Sequence, residues 1–262
     1  AFMRHNGAGR PLLLAATLFV LLAVPFDHSG FDGLLRAHVT EDGRVDYDAF
    51  ARSGEFRSYL EALGRASLEG RGDSERLAFW INVYNAWTIE QVNRHGERES
   101  IRNIRKTLGV LPLKGPWSER MVRAAGRELT LDEVEHEIVR KEFREPRIHF
   151  ALVCAALSCP PLRREAYLGA RLDAQLEEQA RVFVRSTDKN RVDQASGTVF
   201  VSPIFVWYRA DFGGSDAALG RYLARYWPDG SERDLLRSGK LRVRETVYDW
   251  SLNGVGVERP KR

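Results

Sequence analysis

Residues 74–93 (SERLAFWINVYNAWTIEQVN) constrain the fold of this 262-residue chain more than any other stretch. Helical spacing places apolar residues on nearly every side of the segment; they are Phe79, Trp80, Ile81, Val83, Tyr84, Trp87, Ile89 and Val92. A helix that is apolar all round has to be buried. We therefore predict a central helix around which the rest of the chain packs.

Two amide side chains interrupt this apolar surface. Asn82 and Asn85 are three residues apart and share one face of the predicted helix. Buried amides need hydrogen-bond partners. The pair either bonds neighbouring backbone or orients a catalytic group, and the sequence leaves both interpretations open.

Shorter elements flank the central helix. Apolar spacing predicts further helices at residues 31–39, 56–63, 172–184, 217–226 and 232–236. Turn residues between apolar runs predict hairpins at residues 119–130 and 190–201, and a final strand at 241–250. The chain contains no internal repeat, low-complexity linker or heptad pattern. We predict one α/β domain of mixed α+β order, helix-rich, with a small, mostly antiparallel sheet around the buried central helix.

The N-terminal region predicts export. Arg4 and Arg10 precede an apolar run at residues 11–26. The run is shorter than the ~20 apolar residues of a transmembrane helix, and its length is typical of a signal peptide. No clear A-x-A cleavage site follows, so an anchor that associates with the membrane through residues 11–26 stays an alternative. We assign residues 1–28 to this segment, 29–253 to the domain and 254–262 to a flexible tail. The expected location is periplasmic or secreted.

Charge argues against a nucleic-acid partner. The net charge of +4 is mild for this length, and the basic residues are scattered. Arg-rich stretches alternate with Glu and Leu, as solvated helix surfaces do. No basic stripe with interleaved aromatic residues is visible.

Both cysteines lie in residues 147–162 (RIHFALVCAALSCPPL). Cys154, Cys159, His149 and Ser158 gather there within an otherwise apolar run. In an exported protein the two cysteines can form a disulfide. On a continuous helix their Cα atoms would lie roughly 8–9 Å apart, beyond the ~7 Å that a disulfide spans. Because Pro160 disfavours helix at Cys159, a turn near Ser158 can bring the sulfurs together.

A second group of polar residues precedes the cysteines. Thr130 and Glu133 predict a capping box at the start of a helix. Glu135 falls inside the apolar stripe of that helix, and His136 lies to one side. A carboxylate at a core-facing position is either paired with Arg or placed for function.

Six motifs follow one another along the chain. They lie at residues 43–47 (GRVDY), 78–87 (AFWINVYNAW), 129–136 (LTLDEVEH), 147–162, 202–212 (SPIFVWYRADF) and 248–253 (YDWSLN). In this order they resemble the DUF547 family, a domain of unknown function in bacterial exported proteins and in plants and animals. The resemblance spans residues 30–253 and implies a His-x4-Cys site, matched by His149 and Cys154, and an asparagine pair, matched by Asn82 and Asn85. It also implies that the first cysteine is the more essential, which counts against an obligatory disulfide.

A nucleophilic cysteine is one interpretation of this site. Such a thiol needs a group that lowers its pKa, usually an imidazolium, and a third group that orients the base. Cys154 and His149 are five residues apart, which points their side chains about 140° apart on a helix and to opposite faces of a strand. His136, from the preceding helix, is therefore an alternative base.

Other interpretations of the cysteines stay open. They are a structural disulfide, a metal site completed by His149 and His136, and thiol–disulfide exchange in which Cys154 attacks and Cys159 resolves. The spacing is neither a tight zinc signature nor the Cys-x-x-Cys of thioredoxin-type proteins. We predict no metal and no cofactor.

Aromatic residues near the C-terminus supply binding candidates. Tyr208, Asp211 and Trp250 line either a substrate groove or an aromatic core under a loop. We include Tyr208 and Trp250, with Ser158 and Cys159, as candidate binding residues. The triplet Asp-Phe-Gly at 211–213 lacks the accompanying loops of a kinase and is not interpreted as one.

The leading hypothesis is a cysteine-dependent hydrolase or acyl transferase that acts on an unknown small molecule or peptide. Cys154 would be the nucleophile and His149 or His136 the base. Glu135 and one of the two helix asparagines would orient that base or hold the oxyanion. The alternative is a non-catalytic, envelope-associated binding or structural domain in which the cysteines and asparagines hold the core together.

Overall fold

The fold is mainly helical and also contains short strands. The computed structural model describes residues 24–104, 107–108, 111–112 and 115–257. The helices are α1 (Ser29–His38), α2 (Tyr47–Arg52), α3 (Gly54–Arg65), α4 (Asp73–Arg94), α5 (Arg140–Phe143), α6 (Leu172–Val184), α7 (Ile204–Trp207), α8 (Asp216–Ala224) and α9 (Ser231–Ser238). The strands are β1 (Thr107–Leu108), β2 (Leu111–Pro112), β3 (Val122–Ala124), β4 (Arg127–Leu129), β5 (Arg191–Asp193), β6 (Thr198–Val201) and β7 (Arg242–Glu245).

Helix α4 is the buried central helix that the sequence predicts. Every residue from Leu77 to Ile89 is buried, as are Gln91 and Val92. Its neighbours include α2, α3 and the π-helix Glu133–Val139 that leads into α5. Because its apolar side chains all leave water, each large one stabilises the fold by roughly 1.5–3 kcal/mol.

The sheets are small and mostly antiparallel, which confirms the predicted mixed α+β class. Strands β3 and β4 pair around Ala125 and Gly126, whose positive φ angles of 49° and 72° suit a two-residue hairpin turn. Strands β5 and β6 form the second predicted hairpin, and β7 joins β6 in parallel. The final strand is shorter than predicted, because from Tyr248 the chain leaves β6. It pairs instead with the segment that carries both cysteines, residues 147–162, which we call the cysteine segment.

Two clusters of buried side chains make up the core. The first surrounds α4, and the second is formed by α6, α7, α8 and β6. Phe150 belongs to the second cluster, whereas its near neighbours Ile148 and Ala151 belong to the first. The 3-10 turn that carries His149 therefore lies where the two clusters meet.

The folded body extends slightly beyond residues 29–253 at both ends. Phe26 packs against the first cluster, and the buried His28 places Nδ1 2.7 Å from the hydroxyl of Tyr59. At the other end Val255 donates its N–H to the backbone of Val45. The predicted signal segment and the tail lie mostly outside the described residues. None of the helices in the described ranges is long and apolar enough to cross a membrane.

Candidate functional site

A cleft of about 190 Å³ opens where the π-helix, the cysteine segment, α7 and the C-terminal segment meet. Its lining residues are Tyr84, Trp117, Asp132, Glu135, His136, His149, Leu152, Cys154, Cys159, Ile204, Trp207, Tyr208, Tyr248 and Trp250. Most of the candidate residues chosen from the sequence thus lie in one cleft. Asn82, Asn85 and Ser158 do not line it.

Cys154 and Cys159 form a disulfide across a non-helical turn. Their Cα atoms lie 6.2 Å apart because the chain turns at Ala155, whose φ is +64°. The N–H of Cys154 lies 2.9 Å from Cys159 Sγ, and the hydroxyl of Tyr248 lies 3.3 Å from each sulfur. Cys154 is partly exposed to the cleft, whereas Cys159 is buried. Cys154 is therefore the more accessible cysteine of the pair.

The C-terminal segment holds this turn in place. Asn253 donates its N–H to the carbonyl of Ala155, and Leu157 donates to Ser251. Ser158 and Asp249 exchange backbone and side-chain hydrogen bonds, in which the Ser158 hydroxyl accepts the N–H of Asp249 at 2.8 Å. These contacts occupy Ser158 away from the cleft and stabilise the left-handed conformation of Ala155, which by itself costs about 1–2 kcal/mol.

The two helix asparagines bond backbone. Asn85 donates to the carbonyl of Ala151 and accepts the N–H of Val153, both at 2.9 Å. Asn82 makes the same pair of bonds to the backbone of Tyr167. Of the two interpretations left open, the contacts favour the structural one, because each amide faces a backbone segment instead of the cleft. Asn85 thereby positions the residue that precedes Cys154.

His149 has a carboxylate partner. Its Nε2 lies 2.7 Å from Oδ2 of Asp211, and Arg140 donates to both oxygens of the same carboxylate at 2.8 and 3.0 Å. The hydrogen bond from His149, and then that from Arg140, holds the pKa of Asp211 well below its ordinary range. Because this carboxylate only accepts, Nε2 of His149 carries the proton, and in the neutral ring Nδ1 is free to take up another.

His136 has a different environment. Its Nδ1 lies 3.2 Å from Nη1 of Arg140. Since a guanidinium only donates, Nδ1 of His136 is the acceptor of this bond. A protonated His136 would face a guanidinium, whereas a protonated His149 would face a carboxylate. The geometry therefore favours His149 over His136 as the base.

Glu135 is buried and bonded by two tyrosines instead of an arginine. The hydroxyls of Tyr84 and Tyr208 hydrogen-bond to it, and burial raises the pKa of both well above the ordinary value. The ring of Tyr208 also stacks on His149, with centroids 3.9 Å apart. Glu135 thus helps to fix the ring that covers His149.

The helix that carries Glu135 and His136 differs from the prediction. The capping box is present, because Thr130 and Glu133 exchange hydrogen bonds of 2.8 and 3.0 Å. Beyond it the backbone widens into the π-helix, in which the N–H of Arg140 bonds the carbonyl five residues earlier. Such wide turns are frequent at functional sites. Here the turn buries Glu135 together with Val134.

Aromatic rings form the outer wall of the cleft. The ring of Tyr248 is tilted against those of Trp250 and Trp207, with centroids 4.4 and 4.8 Å away, and the Trp117 centroid lies 6.0 Å from that of Trp250. Trp207 is half exposed. Tyr208 and Trp250 thus line a groove, which is one of the two interpretations that the sequence left open.

The sequence did not predict that Asp211 contacts His149 or that Arg140 contacts His136. Arg140 lies one helical turn after His136, a spacing that places two side chains on one face and was the available signal. No comparable signal connects Asp211 to His149, because 62 residues separate them. Among the described residues no group of three or more His, Cys, Asp or Glu side chains is arranged to hold a metal ion.

Fold and site together define a helix-rich α+β domain with a disulfide and an aspartate-bound histidine in an aromatic cleft. Residues 68–184 match the family described as "Protein of unknown function, DUF547". This match confirms the resemblance to the DUF547 family that the motifs carry. Asp211, Trp207 and Tyr248 lie outside the matched residues. No curated protein matches the chain, and no solved structure does.

Proposed function

We propose that this protein is an exported, cysteine-dependent hydrolase or acyl transferase that acts in its reduced form, with Cys154 as nucleophile and His149 as base. The observation that carries the proposal is the 2.7 Å bond between His149 and Asp211 in the cleft that also contains Cys154. It supplies the oriented imidazole that a nucleophilic thiol needs. The same three roles, which are a nucleophile, a base and a group that orients the base, recur on unrelated folds, where they are identified by geometry and not by their order along the chain.

The reaction begins once a dithiol reductant has reduced the disulfide to two thiols. The thiol of Cys154 passes its proton to Nδ1 of His149, and Asp211 stabilises the imidazolium. The thiolate attacks the acyl carbonyl, the bond to the leaving group breaks, and the leaving group takes the proton from His149. Water or another acceptor then gives a proton to His149 and attacks the thioester. The Cys154 thiolate leaves and regains its proton.

Tyr248 is suited to hold the oxyanion of this reaction. Burial raises its pKa well above the ordinary value, so the hydroxyl stays neutral and can donate. It lies 3.3 Å from Cys154 Sγ. A preorganised donor of this kind contributes a factor of about 10²–10³ in rate. Tyr248 takes the role that the sequence had suggested for Asn82 or Asn85.

The disulfide favours thiol–disulfide exchange as a second candidate function. A substrate thiolate would attack Cys154 Sγ, and the electron pair of the S–S bond would leave on Cys159. The N–H of Cys154 and the hydroxyl of Tyr248 already approach that sulfur and would stabilise its thiolate. A second thiol of the substrate would then attack the mixed disulfide, so that a substrate dithiol is oxidised and the cysteine pair is reduced.

Two cysteine variants separate these functions. Thioester hydrolysis and dithiol oxidation are measured for the wild type, Cys154→Ser and Cys159→Ser, each with and without a phosphine reductant. For the proposed enzyme, the wild type turns over thioesters only after reduction, Cys159→Ser does so without reductant, and Cys154→Ser stays folded and inactive. Dithiol oxidation that both variants lose would favour exchange. Thioester turnover that survives in Cys154→Ser would end the nucleophile hypothesis.

The two histidine variants test the assignment of the base. In the Cys159→Ser background, His149→Gln should lose turnover by about 10²–10⁴-fold, the usual contribution of a general base. His136→Gln is the matched control, because His136 lines the same cleft and its Nδ1 contacts Arg140 instead of a carboxylate. The reverse result would assign the base to His136.

Export is part of the proposal. It is supported by the basic residues Arg4 and Arg10 with the apolar run that follows, and by a disulfide, since disulfides persist in oxidising compartments. Residues 1–28 fused to a reporter that is active only outside the cytoplasm test it. A reporter that stays inactive would contradict export.

A further inference from the structure

We propose that the cleft recognises an alkylated ammonium group, so that the acyl donor of the proposed reaction carries a small cationic head group. This inference rests on the proposed function, because it names the substrate class of the same site. The charge, the aromatic rings and the size of the cleft support it.

The charged residues of the cleft wall are acidic. Asp132 and Glu135 line it, and among the residues that the structure describes no Arg or Lys side chain does so. Arg140 contacts His136 but is itself paired with Asp211. An anionic substrate would therefore meet two carboxylates in the cleft wall, whereas a cationic group would be attracted to them.

Asp132 is the carboxylate that would bind the cation. Within the described ranges its side chain makes no salt bridge with Arg or Lys, and its favourable charged neighbour is His136, while Glu135 is bonded by two tyrosines. Asp132 is half-buried, and burial raises its pKa above the ordinary value. A partly desolvated carboxylate without a guanidinium or ammonium partner gains interaction energy when a positive group enters beside it.

The aromatic wall supplies the rest of such a site. Trp117, Trp207, Tyr248 and Trp250 form a continuous cluster at the cleft. Aromatic faces attract ammonium groups within about 6 Å of the ring centroid. Two rings of this cleft already contact guanidinium groups: Arg102 lies 5.3 Å from the Trp250 centroid, and Arg140 lies 4.9 Å from the Tyr208 centroid.

The size of the cleft limits what it can enclose. Its volume of about 190 Å³ is below the roughly 300–1,000 Å³ of pockets that enclose drug-sized ligands. A trimethylammonium or similar head group therefore suits it better than an extended ligand. Trp207, which is 49% exposed, would remain at the entrance and cover the bound group.

Choline and its neutral analogue 3,3-dimethylbutan-1-ol test the charge requirement, because they differ mainly in the replacement of nitrogen by carbon. Binding of each to the oxidised wild-type protein is measured by calorimetry, so that no turnover is needed. We expect choline to bind at least about tenfold more tightly, within the range of cation–aromatic contacts. Equal binding of the neutral alcohol, or preferential binding of glucose to the same aromatic wall, would overturn the inference.

Variants then locate the site. Trp207→Leu and Asp132→Asn should each weaken choline binding by about 2- to 30-fold. Glu137→Gln is the matched control, since Glu137 lies on the same π-helix but is exposed and pairs with Lys141. Thermal unfolding of each variant shows that it is folded. Equal effects of Asp132→Asn and Glu137→Gln would contradict recognition in the cleft.

A pair of substrates separates this inference from the proposed function. Cys159→Ser is assayed with butyrylthiocholine and with the matching 3,3-dimethylbutyl thioester. Preference for the cationic thioester supports both. Equal turnover of the two keeps the enzyme and removes the cation requirement. Choline binding without turnover of either thioester keeps the binding site and removes the proposed enzyme.

Discussion

His149 and Asp211 lie 62 residues apart in sequence, and their side chains meet at 2.7 Å from Nε2 to Oδ2. The contact joins the cysteine segment to the 3-10 turn Arg209–Phe212. It sets which ring nitrogen carries the proton and leaves the other available to the cleft. Neither residue alone could fix the imidazole in this protonation pattern.

Replacing Asp211 by Asn tests this relationship. The amide keeps the shape but removes the negative charge that stabilises a protonated His149. In the Cys159→Ser background we expect thioester turnover to fall by about 10²–10⁴-fold. The free energy of unfolding should fall by about 1–3 kcal/mol, because Arg140 loses its charged partner. Asp229→Asn, at an exposed position, is the control, and an unchanged rate in Asp211→Asn would contradict the assigned role.

Replacing Asn85 by Ala tests its contacts to backbone. The variant leaves the carbonyl of Ala151 and the N–H of Val153 buried without partners. We expect the free energy of unfolding, measured in urea, to fall by about 2–4 kcal/mol. Gln194→Ala, at an exposed position, should change it by less than about 0.5 kcal/mol. Similar small effects of both variants would show that the Asn85 contacts do not stabilise the fold.

His28 predicts a pH dependence of folding. Burial lowers its pKa from 6.5 to about 4. Between these values the unfolded chain binds a proton at this site that the folded chain does not. The free energy of unfolding therefore decreases as the pH falls from 6.5 towards 4, by roughly 3 kcal/mol in full.

Urea unfolding of the wild type and His28→Gln between pH 8 and pH 4 checks this expectation. The glutamine variant loses this contribution to the slope below pH 6.5, so the two curves converge as the pH falls. Parallel curves over the whole range would contradict it.

Gly43 lies in a turn that touches the end of the cysteine segment. Its φ is +80°, and a Cβ at this position would lie 2.5 Å from Cα of Pro161. Gly43→Ala should therefore lower the free energy of unfolding by about 2–4 kcal/mol, from backbone strain and overpacking together. Gly96→Ala is the matched control: its φ is +60°, but nothing lies within 4 Å of the added carbon. If both variants lose the same stability, the contact with Pro161 has no energetic weight.

Local patterns in the sequence were sufficient for most of the secondary structure. The apolar surround of residues 74–93 required a buried helix, and α4 is that helix. The turn at Ala125 and Gly126 and the capping box of Thr130 depend only on residues close together in the chain, so the sequence predicts both directly. The π-helix could not be predicted this way, because a capping box and apolar spacing do not distinguish it from an ordinary α-helix.

The sequence by itself determined the central helix, the short hairpins and the segment in which the cysteines and His149 gather. Only the tertiary structure decided that Asp211 orients His149, that Asn85 bonds backbone and that Tyr248 lies against both sulfurs. The physical reason is separation along the chain. Helical periodicity and turn chemistry act over a few residues, whereas these contacts join residues 62 to 94 positions apart. Such pairs are brought together only by tertiary packing.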